Sequence, residues 1–131
     1  MATRTITTKL GVEGEQEFKR GLNAANNELK TLRSEMGLAD AEFKGQANSM
    51  DALTKKHEIL KREQEQQVEK VRALKEMVDK ANDAFEEGDP RLDSYRQMLN
   101  KAQRELIDMN KALDDNEKYL DEARKSADKC A

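Results

Sequence analysis

The chain has 131 residues, of which 39% are charged and 36% hydrophobic, with no Trp, three Phe and two Tyr, so a narrow seam rather than a broad globular core is what it can bury. A net charge of −3 with both signs mixed at nearly every turn gives neither a basic nucleic-acid footprint nor the aromatics that stack on single-stranded bases. No apolar run approaches the roughly 20 residues that span a bilayer, and the N-terminus lacks the apolar stretch of a secretory signal, so the expectation is a soluble chain made in the cytoplasm.

Residues 3–12 are rich in β-branched side chains and alternate, with Ile6, Leu10 and Val12 on one side and Lys9 on the other. This pattern predicts a short strand. A lone strand has no partner for its backbone hydrogen bonds inside this chain, so it either stays unstructured as an arm or adds to a strand of another copy or another protein.

Gly14 followed by Glu15 and Glu17 predicts a helix start, with acids at the positive end of the helix dipole. From there Phe18, Leu22, Ala25, Leu29, Leu32, Met36, Ala39 and Phe43 recur in alternating steps of three and four. That spacing keeps an apolar seam on one side of a helix and predicts a helix over 14–45, running through Gly21 and Gly37. A break at 46–49 follows, with Gly45 as the C-terminal cap and Asn48 or Ser49 as the next N-cap.

The second helix is expected over 50–87. Leu53, Leu60, Gln67, Leu74 and Ala81 form one seam row, and His57, Gln64, Val71, Val78 and Phe85 the other. Gly88-Asp89-Pro90 is the strongest punctuation in the chain: Gly88 suits a left-handed cap, Asp89 an N-cap and Pro90 the first helical position. The third helix is expected over 90–127, with Leu92, Leu99, Leu106, Leu113 and Leu120 interleaved with Tyr95, Ala102, Met109, Asn116 and Ala123. Two equal helices joined by a tight turn predict an all-α fold, a long antiparallel coiled-coil hairpin over 50–128 preceded by the first helix and the N-terminal arm.

In such a hairpin an alignment symmetric about the turn places Val78 against Ala102, Leu74 against Leu106, Val71 against Met109, Leu60 against Leu120 and His57 against Ala123. It pairs the polar intrusions Gln64 and Asn116 with each other, which avoids stranding a buried amide. It also sets Gln67 against Leu113, Lys61 near Glu117 and Lys70 near Glu105. The predicted hairpin core is therefore Leu60, Gln64, Val71, Leu74, Val78, Leu99, Leu106, Met109, Asn116 and Leu120. A similar alignment sets Leu22 with Leu74, Ala25 with Val71, Met36 with Leu60 and Phe43 with Leu53, which permits a three-helix, up-down-up arrangement. Against it, the second and third helices read as nearly strict two-row stripes, narrower than three-helix cores use. The alternative leaves Ile6, Leu10, Val12, Phe18, Leu22, Leu29, Leu32, Met36 and Phe43 as a surface for a partner.

Residues that carry chemistry are few. His57 is the only histidine and Cys130 the only cysteine, so there is no disulfide framework and no convergent ligand set for a metal or cofactor. Glycines occur singly, which excludes a phosphate-cradling loop. Acidic residues recur at helical surface spacing and read as solvated faces rather than paired general acids. No enzymatic activity, cofactor or metal is expected.

The opening Ala-Thr-Arg-Thr-Ile-Thr-Thr-Lys-Leu with Gly14-Glu15-Gln16-Glu17-Phe18, then Glu28 to Met36, Ala41-Glu42-Phe43-Lys44-Gly45-Gln46-Ala47 and Asp115 to Ala123, resembles the start of tail tape measure proteins from phages and prophages of Gram-positive bacteria. The resemblance implies an extended helical protein that lies in several copies inside the tail tube and sets the number of tube rings by its length. It also implies self-association and contacts with tail tube, tail-terminator or tail-assembly chaperone proteins, in the host cytoplasm during assembly and then inside the virion tail. Family members are usually far longer and carry membrane-active segments that this sequence does not show, so an N-terminal portion is expected, without membrane or nucleic-acid binding of its own. A cellular coiled-coil adaptor or prefoldin-like holdase is the competing reading; such chaperones place a strand hairpin between their helices, where this chain has only Gly88-Asp89-Pro90.

Overall fold

The computed structural model describes residues 12–130, with side chains described over 12–126. They form three helices, α1 (Glu15–Glu42), α2 (Met50–Ala84) and α3 (Pro90–Cys130). No strand occurs among the described residues. The expected strand over 3–12 lies outside them except for Val12, which sits in a bend, its side chain 7% exposed within an apolar cluster.

Local chemistry accounts for the helix ends. Gly14 takes a left-handed φ of 78°, a conformation that costs glycine little. Ahead of α1 the Val12 carbonyl accepts from the Glu15 amide at 3.1 Å, and a Glu15 carboxylate oxygen accepts from the Val12 amide at 3.2 Å. This reciprocal pair satisfies donors that a helix start would otherwise leave open. α1 runs uninterrupted through Gly21 and Gly37 but stops at Glu42, short of the expected 45, because Phe43 leaves helical geometry and Gly45 turns the chain at φ 84°. Ser49 caps α2, its hydroxyl accepting from the Ala52 amide at 3.2 Å.

α2 also ends early. Phe85 is extended (φ −111°, ψ 150°), and its ring turns inward to pack with Ala81, Leu92 and Tyr95. Gly88 is left-handed at φ 95°, the Asp89 carboxylate accepts from the Arg91 amide at 2.9 Å, and Pro90 opens α3. The Arg91 guanidinium lies 4.1 Å from the centroid of the Phe85 ring and its nitrogens also bond the Asp89 carboxylate. That bonding holds Asp89 below the usual carboxylate range.

α2 packs on both other helices. Along α2 and α3, Asn82 meets Arg96, Gln67 meets the Ala102 carbonyl, Gln64 meets Asn110 and Asn116 meets the Leu53 carbonyl, so numbers rise along one helix as they fall along the other. Along α1 and α2, Phe18 packs beside Met77, Arg33 acts on Glu63, Met36 packs against Ile59, and Asp40 pairs with Lys56 at 2.9 Å. α1 reaches α3 through side chains: the rings of Phe18 and Tyr95 meet edge to face at 5.8 Å, and Arg33 approaches Glu105 at 3.8 Å.

Two expectations are corrected here. The layers across α2 and α3 are displaced from the symmetric alignment: Gln64 bonds Asn110 rather than Asn116, Gln67 bonds Ala102 rather than facing Leu113, and Ala102 clusters with Val71 and Leu74 while Val78 packs at the turn. The cause is Phe85. Because α2 ends at Ala84, the connection is centred earlier in the sequence, and each α2 residue meets an α3 residue of lower number. The second correction concerns the width of the buried face: beside its two seam rows, α2 buries Ala52, Ile59 and Met77, and Ile59 and Met77 lie beside the extra neighbour α1.

Candidate interaction site

The surface expected to await a partner is largely spent inside the chain. Val12 is buried at the turn end, and Leu22, Leu29 and Leu32 are buried along α1, Leu32 being only 1% exposed. Phe18, Met36 and Phe43 are half-buried; Ile6 and Leu10 lie outside the described residues. Heptad spacing marks which residues seek an apolar neighbour, and here that neighbour is α2.

Of the expected hairpin core, Val71, Leu74, Asn116 and Leu120 are buried, and Leu60, Gln64, Val78, Leu99, Leu106 and Met109 are half-buried. Val71 and Leu74 join Ala102 in one cluster, with Leu99 and Leu106 packed against it. Asp89 and Pro90 stand at the start of α3 as expected, whereas Gly88, left-handed at φ 95°, turns the connection beyond Phe85, the residue that caps α2, and does not itself cap that helix. The expected ion pairs of Lys61 with Glu117 and Lys70 with Glu105 do not form: Glu105 faces Arg33 instead, and Lys70 lines a groove beside α1.

The middle of the molecule carries the polar chemistry. Glu63 is 8% exposed and Gln67, one helical turn on, is fully buried. Arg33 of α1 acts on Glu63 of α2 and lies 3.8 Å from Glu105 of α3, so one guanidinium serves carboxylates from both other helices. Burial pushes the Glu63 carboxyl up, against the opposing pull of Arg33. The Gln67 amide donates to the Ala102 carbonyl at 2.8 Å, a bond that ties α2 to α3 through α3's own backbone. Sequence reading singled out neither Arg33 nor Glu63; the signal was Glu63 lying on the same face as Ile59 and Gln67, four residues to either side.

At the turn end, Glu15 gathers three donors: the Tyr95 hydroxyl at 2.5 Å, the Val12 amide and the Lys19 ammonium at 3.4 Å. Burial works to raise the Glu15 carboxyl, but these donors together hold it below the usual carboxylate range. Burial and the bond to Glu15 push the Tyr95 phenol upward. The segment before α1 is thereby tied to α3.

His57 borders a small open cavity with Glu117, Leu120, Asp121 and Arg124. Among the described residues no set of three His, Cys, Asp or Glu side chains converges on a metal position, and no helix is long and apolar enough to cross a membrane. No protein-family model, curated protein or solved structure matches this chain.

What remains outward-facing is of two kinds. Ile107 and Leu38 are large apolar side chains 66% and 61% exposed. Between α1 and α2 lies an open groove of about 450 Å³, floored by Gly21, Ala24, Ala25 and Ala73 and edged by Glu28, Glu69 and Lys70. Small side chains let another helix approach closely, so the arrangement is suited to helix contacts rather than to chemistry on a small molecule.

Proposed function

We propose that this chain is a structural assembly module of a phage tail, the N-terminal part of a tape measure protein whose α2 and α3 act as an antiparallel coiled-coil hairpin. The observation that carries the reading is the pairing of tape-measure-like motifs with helices of 28, 35 and 41 residues packed lengthwise on one another. At about 1.5 Å per residue a continuous helix converts residue count into length; here α1 and α3 pack back along α2, so this module adds about one helix length rather than three. The module contributes contacts to sister copies and to tail tube, tail-terminator or tail-assembly chaperone proteins. It acts in the host cytoplasm during assembly and inside the tail afterwards.

Mass spectrometry of purified tails tests the reading, together with inspection of the neighbouring genes. Peptides of this chain should be recovered from tails, and genes for tail-tube and tail-completion proteins should lie alongside. Intact tails without these peptides would overturn it.

A further inference from the structure

We propose that the face of α3 around Ile107 docks into the α1/α2 groove of a second copy, so that the chain associates head to tail. Ile107 stands out from α3 at 66% exposure. Helical spacing puts Arg104, Asp108 and Lys111 on the same face, and all three are exposed. A branched apolar side chain thus stands among two cations and one anion. The groove between α1 and α2 is its counterpart. Its floor is Gly21, Ala24, Ala25 and Ala73, and its charged edges are Glu28, Glu69 and Lys70, two anions and one cation.

The charge sets are opposite in sign, and the small floor leaves room for the projecting side chain. A Cβ built on Gly21 meets nothing within 4 Å, so the space is open rather than filled by the chain itself. Glu28, Lys70, Arg104 and Lys111 form no ion pair with another described residue, and Glu69 reaches only Arg72, on its own helix, at 3.3 Å. These charges are available across an interface, where complementary sets steer association and fix register.

The two faces lie on different helices, so one copy can use both at once. An interface of two unlike faces repeats into a ring or an open chain rather than stopping at a dimer. This inference deepens the assembly reading and rests on it for biological meaning, but its test uses the purified full chain alone.

The test is sedimentation or light scattering across concentration on three proteins. The native chain should gain mass beyond a dimer as concentration rises, and lose it as salt screens the charges. A knob variant (Arg104→Glu with Lys111→Glu) and a groove variant (Glu28→Lys with Glu69→Lys) should each remain monomeric while keeping helical content and thermal midpoint. In an equimolar mixture the native knob meets the native groove and the reversed knob meets the reversed groove, both opposite in charge, so the mixture should regain growth beyond a dimer with the two variants alternating. A native chain that stays monomeric up to millimolar concentration overturns the proposal, as does one that stops at a dimer. So does association that survives in either variant, or a mixture that fails to pair. None of these outcomes alters whether the chain is recovered from tails, so the two readings fail separately.

Discussion

The turn end of the bundle buries apolar side chains almost alone, whereas its middle buries polar ones among them. At the turn, Val12, Met77, Ala81, Phe85, Leu92 and Tyr95 form one apolar cluster with Phe18 packed against it. In the middle, Glu63, Gln67 and the Gln64–Asn110 bond occupy the positions that apolar side chains hold elsewhere. Apolar burial is non-directional and scales with area, whereas an amide that finds another acceptor one turn away loses little. Alignment is therefore set at the turn and accommodated in the middle. Gln64 and Asn116 take whatever partners the turn's geometry delivers, an Asn110 side chain and a Leu53 carbonyl.

The largest expected effect follows directly. Phe85→Ala empties the centre of the turn cluster and removes the ring beneath Arg91, and should cost about 3–4 kcal/mol, within the range for large aromatic truncations. Chemical denaturation measures it. A loss below about 1 kcal/mol would mean that the turn end does not dominate, since surface changes alone reach that size.

Next is Tyr95→Phe, which removes one hydroxyl and keeps the ring. Its bond to a carboxylate predicts a loss of about 1.5 kcal/mol. The pH dependence supplies the second readout. The unfolded phenol ionises near pH 10, while burial and Glu15 keep the folded phenol protonated to higher pH. A group raised in the folded state gives stability that is full below its unfolded pKa and is lost as pH rises through the folded value. The native protein should therefore lose stability above about pH 10 more steeply than Tyr95→Phe. Parallel alkaline curves would show that the Glu15–Tyr95 bond is not formed.

Much of this architecture is legible in the sequence, and the exceptions have physical causes. The helix starts at Gly14, Ser49, Asp89 and Pro90 are legible because each answers a local backbone need, as is the left-handed turn at Gly88, though not that α2 would end before it. The alignment of α1 on α2 is nearly legible as well: Met36 beside Ile59 lies within one residue of the expected facing with Leu60. The register of α2 on α3 is not, because it depends on Phe85 leaving the helix, and a seam position does not reveal that its residue will be extended. Nor is the fate of the α1 seam, since Leu22, Leu29 and Leu32 have the same spacing whether a sister chain or α2 covers them. Ile59 and Met77, apolar residues off the two seam rows, are the sign in the sequence that α2 has two neighbours. The Ile107 face and the groove escape seam-based reading because both lie off the seam.

In the middle layer the sign of the effect should reverse. Glu63 is a carboxylate held in a buried position, and Arg33 can keep Glu105 as partner without it. Burial is the larger influence on Glu63, and removing it leaves no buried charge stranded because Arg33 is largely exposed, so Glu63→Leu should stabilise by about 1 kcal/mol at pH 7. The folded carboxyl is raised, so the folded state binds its proton first. The native protein's deficit relative to Glu63→Leu should shrink as pH falls through the folded value and vanish below the unfolded one, near 4.3. A deficit that grows with acid would mean that Glu63 is a net favourable partner of Arg33.

The smallest effect is the sharpest test of which region sets the register. Were Gln64 packed against Asn116 in a closed layer, Gln64→Leu would strand a buried amide and cost about 1–3 kcal/mol. Here Gln64 is half-buried and its amide donates to Asn110, an exposed residue that water can satisfy equally well. The substitution should therefore change stability by no more than about 0.5 kcal/mol. Asn116→Leu, which removes the amide that reaches the Leu53 carbonyl in a buried setting, should cost about 1 kcal/mol. Combining the two changes decides the matter. Residues in one layer couple, whereas residues that share no partner add, so the double variant should show the plain sum; a coupling near 1 kcal/mol would restore the symmetric alignment and take control of the register away from Phe85.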